Sequence, residues 1–250
     1  MRLAHLYIIS TLFLFACSSQ QISDYKYNYN EVESGMQQDS SFDSLISTYR
    51  IKMDAMMNEV IGSSDSTLVK YAPESPLGNF SADVIYTAGL NNASKLVGKE
   101  LTKENSFCLL NFGGLRAPLN QGNITVGNIY ELMPFDNRVV VVELEVEQIR
   151  EMLDYLYEKN GQPVSDNARF VLSKAAKKLW LNDKPYNFKE KLYIITSDYL
   201  AGGGDKMTFL SDASNLWDSG VLMRDIYLEH VRRQKTIPYY PVQKRMEVIK

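Results

Sequence analysis

The run RVVVVELE, Arg138 to Glu145, is a strongly β-branched strand signal, and it leads without a linker into VEQIREMLDYLYEKNG. In that second stretch Ile149, Met152, Leu153 and Leu156 fall on one helical face, and Gly161 supplies a stop. A strand joined directly to an amphipathic helix calls for a fold that layers helices on a sheet. The rest of the chain mixes the two patterns in an irregular order with no repeat, which fits a layered α+β domain better than a regular βαβ winding.

The other segments extend this reading. Between Phe42 and Ile61 the apolar residues Leu45, Ile46, Tyr49, Met53, Met56, Met57 and Val60 recur at helical steps, and Gly62 is expected to end an amphipathic helix. A short strand is expected at Thr67 to Tyr71, and a helix beginning near Gly78. SFCLLNF reads as a strand, and ITVGNIYELMPF as a short helix capped by Thr125. RFVLS and KKLWL read as strands, and Asn182–Asp183 as a turn leading into the strand KLYIITSDYL. SNLWDSGVLMRDIYLEHVRRQ reads as one long last helix and RMEVI as a closing strand. Glu143, Glu145, Glu147 and Glu151 read as a solvated edge, and Arg232, Arg233 and Lys235 as helix-end cations favoured by the macrodipole.

The N-terminus, MRLAHLYIISTLFLFACSSQ, has one early cation and then an apolar run too short to span a membrane dependably. It reads as an export signal over residues 1–16. Leu14-Phe15-Ala16-Cys17 resembles a bacterial lipobox, which implies cleavage before Cys17, lipid on its sulfur and a protein anchored at the bacterial cell envelope. Residues 17–41, rich in Ser, Gln, Asn, Asp and Tyr, read as a flexible tether, and residues 42–250 as the folded domain. Cys108 would then be the remaining thiol, placed like a buried strand residue and without a base to make it a nucleophile.

The 250 residues, 45% hydrophobic, suffice for one large domain or two small ones, and the net charge of -3 argues against a polynucleotide partner. Two apolar strands each run into a glycine-bearing segment, LLNFGGLRAPL and SDYLAGGGDKM, and neither has phosphate-loop spacing. Together they carry a more specific inventory. Arg116 offers a forked cation for a phosphate or carboxylate, and Asp205 offers acceptors to vicinal hydroxyls. Phe135 and Tyr199 offer flat faces for a base, while Asn111 and Asn137 offer polar groups to its edges. Gly203, within the three consecutive glycines Gly202 to Gly204, is expected to let the backbone turn tightly beneath a ligand.

Four blocks carry a resemblance: ESPLGNFSAD, NFGGLRAPLNQGNITVGNIYELMPFDN, VVVVELEVEQIREMLDYL and LYIITSDYLAGGGDKMTFL, in order from Glu74 to Leu210. They resemble the C-terminal domain of 5'-nucleotidases, a group that includes periplasmic UDP-sugar hydrolases and ecto-5'-nucleotidases. The resemblance implies a layered mixed-sheet domain that recognises a nucleotide or nucleoside. It implies Phe135 and Tyr199 as a base-stacking pair with Asn137 beside it, Asp205 on the ribose hydroxyls, Arg116 on the phosphate side and Asn111 opening the loop.

The sequence departs from the family's pattern at several places. Phe112 replaces a glycine of the usual N-G-G-G-I-R loop, a side chain expected to narrow the pocket. Asp166 stands where glycine is usual in a segment near the base. Lys70 is the nearest cation where the family carries arginines before its E-x-x-L-G-N block, and it is expected to act there as a point charge.

The family's hydrolysis belongs to an N-terminal metallophosphatase domain, and the residues before Thr67 do not resemble one. No cofactor is expected in this chain, and divalent metals are expected only on a metallophosphatase partner. The leading expectation is a substrate-recognition domain that acts with a separately encoded metallophosphatase and is inactive alone. The alternative is a lipoprotein that binds nucleosides or nucleotides by itself, and a third reading is an interaction module whose pocket no longer binds them.

Overall fold

The computed structural model describes residues 40–250. The export signal, Cys17 and most of the tether lie outside the described residues. By contacts the chain divides after Ile46: residues 40–46 are the opening turns of helix α1 (Ser40–Met57), and residues 47–250 form one compact unit. Among the described residues no helix is long and apolar enough to cross a membrane.

The centre of the compact unit is a four-stranded mixed sheet. Its strands are β2 (Ser106–Cys108), β4 (Arg138–Leu144), β8 (Leu192–Ser197) and β9 (Asn215–Leu222), in the order β2-β8-β4-β9. Strand β8 runs parallel to β2 and antiparallel to β4. Its side chains alternate between two cores, as the two-residue period of a strand requires. Cys108, Val139, Val141, Tyr193 and Ile195 face one core, which they share with helix α2 (Pro76–Val97) and helix α7 (Met223–Gln234). Phe107, Val140, Val142, Leu192 and Ile194 face the other, shared with helix α4 (Val146–Glu158). Burial on both faces explains why Val139 to Val142 are continuously apolar. Each such side chain contributes roughly 1.5–3 kcal/mol through its removal from water.

Two smaller sheets complete the layers. Strands β5 (Ala168–Ser173), β6 (Lys177–Leu181), β7 (Lys184–Pro185) and β11 (Met246–Ile249) pair in the order β11-β5-β6-β7, closing over α4 and the second core. Strands β1 (Val60–Ser64), β3 (Gly122–Thr125) and β10 (Thr236–Ile237) form the third sheet, β10-β1-β3. After β3 the short helix α3 (Val126–Leu132) begins with Thr125 as its cap, in a reciprocal pair with Asn128. The α4 face expected from spacing is buried at all four positions, and Cys108 is fully buried, where loss of water pushes its thiol well above the usual range.

Five expectations are corrected. Helix α1 ends at Met57 rather than at Gly62, because Val60 to Ser64 pair with β3 and β10. It buries no residue, leaving Tyr49, Ile51, Met53 and Met56 exposed. The expected strand at Thr67 to Tyr71 is reduced to one bridge, Leu68 to Leu119. The long last helix is a strand followed by a helix: β4 has an open edge, and Asn215, Leu216, Trp217 and Asp218 pair along it, overriding the helical spacing. Glu143 is buried rather than solvated. Burial alone would raise its pKa, but bonds from Lys191, Tyr193 and Asn215 outweigh that and hold it below the usual range.

The ESPLGN block serves the fold. Ser75 caps α2 by accepting from the Gly78 amide, and Pro76 fills the first turn. Glu74, 5% exposed, accepts from Asn79 Nδ2 at 2.8 Å, the Gln243 amide at 2.7 Å and the Arg245 amide at 2.7 Å, clamping the C-terminal segment to the start of α2. Arg245, also buried, grips both oxygens of Asp83 at 2.6 and 2.8 Å. Replacing Glu74 by Ala strands these buried donors, and we expect a loss of about 3 kcal/mol in a denaturant titration.

His230 on α7 is half-buried, edge-on to Phe80 at 5.8 Å. Burial, then Arg233, lowers its pKa from 6.5. The unfolded chain therefore takes up the proton first as pH falls, and stability is lost below about 6.5. Urea denaturation at pH 7 and pH 5 is expected to show this slope in the wild type and a shallower one in His230→Leu.

Candidate functional site

Strand direction gathers the candidate residues. The exits of β2 and β8 lie at the same end of the central sheet as the entry of β4, because Cys108 pairs with Ile195 and Val139 pairs with Ser197. Three loops therefore meet there. The first contains the single 3-10 turn Phe112–Gly114, and the second contains Phe135 and Asn137. The third holds helices α5 (Asp198–Ala201) and α6 (Thr208–Ser211) with a second 3-10 turn, Gly204–Lys206, between them. Asn111, Gly113, Gly114, Arg116, Phe135, Asn137, Tyr199 and Asp205 line one cavity of about 290 Å³ between the loops. Of the seven binding residues named from sequence, six line it. Gly203 does not, and its left-handed torsion (φ 86°) instead shapes the turn that presents Asp205.

Asp205 is the most elaborately held of these residues. Its backbone lies in the left-handed region (φ 52°), which aspartate tolerates better than most residues. Its Oδ2 accepts from Asn111 Nδ2 at 2.5 Å, and its Oδ1 accepts from the Tyr199 hydroxyl at 3.0 Å. The same hydroxyl accepts from the Asp205 amide at 3.3 Å, so the loop closes on itself. One of the two Asn111 amide donors is thus given to Asp205, while the side chain still lines the cavity.

The glycines make room for these contacts. A Cβ on Gly204 would lie 2.5 Å from the Tyr199 ring, and one on Gly114 would lie 2.7 Å from Asn111 Oδ1. The aromatic and the amide occupy the space that side chains would fill.

The stacking candidates flank the cavity, Phe135 44% and Tyr199 49% exposed. Among the described residues neither ring packs on another aromatic ring, so flat surface remains open on both. Arg116 is exposed, its Nη1 donating to the Gly113 carbonyl at 3.3 Å, and among the described residues it pairs with no carboxylate.

Three supporting residues escaped the sequence reading. Tyr155 on α4 donates to the Asp205 carbonyl at 3.0 Å, and burial, then the charge of Asp205, pushes its pKa up to about 12. Gln162 accepts from the Phe112 amide at 2.9 Å. Arg224 on α7, buried, stacks on Tyr130 and bonds the Asp136 carboxylate and the carbonyls of Met133 and Phe135, pinning the loop that carries Phe135. Only α4's helical periodicity hinted at any of these, since each acts through a backbone that sequence does not place.

The three departures resolve differently from expectation. The Phe112 ring turns away from the cavity to pack beside Gly78, so it does not narrow the site. Lys70 donates to the carbonyls of Phe112 and Leu115 at 3.0 and 2.6 Å, so two of its three donors hold the loop backbone. Asp166 lies in a separate polar cavity of about 260 Å³, its amide on Asp83 and its carboxylate 3.7 Å from Lys103. Of the charged groups around it, Arg245 is paired with Asp83 and Arg169 stacks on Trp180.

The model of the 5'-nucleotidase C-terminal domain matches residues 56–212, a span that contains every residue lining the candidate cavity. The chain belongs to this family. It is 25% identical over 211 residues to the trifunctional nucleotide phosphoesterase YfkN of Bacillus subtilis, covering 74% of this chain and 13% of that protein. It is 23% identical over 240 residues to the 5'-nucleotidase of Mus musculus, covering 84% of this chain and 40% of the other. In fold it is similar to the 5'-nucleotidase precursor of Thermus thermophilus, with a TM-score of 0.65 and 23% identity over 83% of this chain and 43% of that one. The chain therefore spans less than half the length of these relatives.

Among the described residues of this 5'-nucleotidase C-terminal domain no group of three or more His, Cys, Asp or Glu side chains comes together that could hold a metal ion.

The packing of the Tyr199 ring on Gly204 is open to direct test. In Gly204→Ala the added methyl would meet both the Tyr199 ring and the Tyr199 carbonyl, which the Cβ would approach to 2.6 Å, so the turn must shift. We expect amide chemical-shift changes confined to the loop around Tyr199 and Asp205 while the central-sheet amide resonances stay in place.

Proposed function

We propose that this chain is the nucleotide- or nucleoside-recognition part of a 5'-nucleotidase-type hydrolase, which works with a metallophosphatase partner in nucleotide catabolism. The observation that carries the reading is the convergence of Phe135, Tyr199, Asp205 and Arg116 on one cavity in a domain of this family. Two open aromatic faces suit a base, and stacking of this kind is worth roughly 1–3 kcal/mol per base. The Asp205 carboxylate suits the hydroxyls of a ribose, and the Arg116 guanidinium suits a phosphate. On this reading the partner supplies the divalent metals, and this chain supplies affinity, orientation and choice of substrate. Lipid on Cys17 would keep the protein at the bacterial cell envelope.

One observation favours the alternative of a lipoprotein that captures nucleosides or nucleotides unaided. Asp205 is held at both carboxylate oxygens by side chains of this chain, Asn111 and Tyr199. The two readings part on affinity in the absence of a partner.

Calorimetric titration of the full chain with adenosine and AMP tests both. We expect binding that falls at least tenfold in Tyr199→Ala and in Asp205→Ala, the loss of one stacked base or of one charged hydrogen-bond group. Micromolar binding by the isolated chain would favour the autonomous receptor, and millimolar binding the partnered domain. Binding that both variants retain would overturn the site.

A further inference from the structure

Resting on the reading of the cavity as a nucleoside site, we propose that the phenolic hydroxyl of Tyr199 is a positioning group that sets the chain's preference for ribose over sugars lacking a vicinal diol. The Tyr199 ring needs no hydroxyl in order to stack, yet the hydroxyl is fully used. It donates to Asp205 Oδ1 at 3.0 Å and accepts from the Asp205 amide at 3.3 Å, bridging six positions of one loop. Asn111 Nδ2 holds the other oxygen from the facing loop. An ionised carboxylate offers about four lone-pair sites. Two are occupied, one on each oxygen, which leaves one free on each for a pair of neighbouring hydroxyls.

The geometry also fixes what the carboxylate would otherwise lose on binding. Asp205 is exposed and lies on a turn with left-handed torsions, conditions under which a side chain samples several rotamers. Donors on both oxygens remove that freedom before the ligand arrives. Tyr155 completes the frame from below through the Asp205 carbonyl at 3.0 Å. The positioning therefore acts on the sugar and leaves the base alone, since phenylalanine at residue 199 would present the same stacking face.

The test is a nuclear magnetic resonance titration of the full chain and of Tyr199→Phe with adenosine and 2′,3′-dideoxyadenosine, repeated with uridine and 2′,3′-dideoxyuridine. In the wild type the ribonucleosides are expected to bind more tightly than their dideoxy counterparts. In Tyr199→Phe the ribonucleoside affinity is expected to fall roughly three- to tenfold, the scale of immobilising one flexible side chain. The dideoxy affinity is expected to stay within about twofold, so the discrimination collapses. Equal losses for both sugars would reduce the hydroxyl to a structural role and overturn the proposal, as would unchanged discrimination or tighter ribonucleoside binding. A wild type that binds none of the four ligands overturns the nucleoside reading and this role together, whereas a binding wild type whose discrimination survives in the variant overturns the role alone.

Discussion

The position of β8 between β2 and β4 is the constraint on which the site depends. Because β8 is parallel to one neighbour and antiparallel to the other, two strand exits and one strand entry share a single sheet edge. A register slip of one residue would exchange Leu192 and Ile194 with Tyr193 and Ile195 between the two cores, so close packing in each core fixes the register. The loops inherit that precision. Asn111 and Asp205, 94 residues apart in sequence, come within hydrogen-bonding distance because the strands that lead into their loops are locked side by side.

Rigidity in the loops comes from neighbours rather than from the loops' own sequences. Lys70 holds carbonyls of the first loop, Arg224 those of the second, and Tyr155 one of the third. Each anchor sits on a different part of the compact unit, so the cavity integrates the fold around it. Glu74 and Arg245 act one layer further out, tying the C-terminal strand β11 to the start of α2 and so closing the second core. A buried carboxylate with three donors costs little relative to water, whereas the same carboxylate with one donor removed would be strongly destabilising.

Much of this was legible in the sequence wherever periodicity and burial coincide. The α4 face, the Thr125 cap, the buried Cys108 and the β4 strand all follow from spacing and side-chain chemistry. The family blocks led to six residues that line one cavity. Misreadings occurred where tertiary pairing overrides local pattern: Asn215 to Leu222 carry helical spacing but answer to the open edge of β4. Position in a motif does not fix where the side chains of Phe112, Lys70 and Asp166 point, and their contacts keep all three from obstructing or lining the cavity. Side-chain direction on an irregular turn has no sequence period, so no pattern could have announced it.

The commitment of Lys70 to backbone carbonyls changes what the cavity can select. Arg116 is the cation left among the lining residues, and it is exposed, so its attraction for an anion is screened within about 8–10 Å at ordinary salt. The groups proposed to hold the uncharged part of a nucleotide are by contrast organised by direct contacts: two exposed rings, and a carboxylate fixed at both oxygens. On the proposed function, the base and sugar therefore carry most of the binding free energy within this chain, and the phosphate contributes mainly orientation through Arg116. That division suits a domain whose task is to present a phosphate outward. Strong capture of the phosphate here would stabilise the ground state and oppose its transfer to a hydrolytic centre elsewhere.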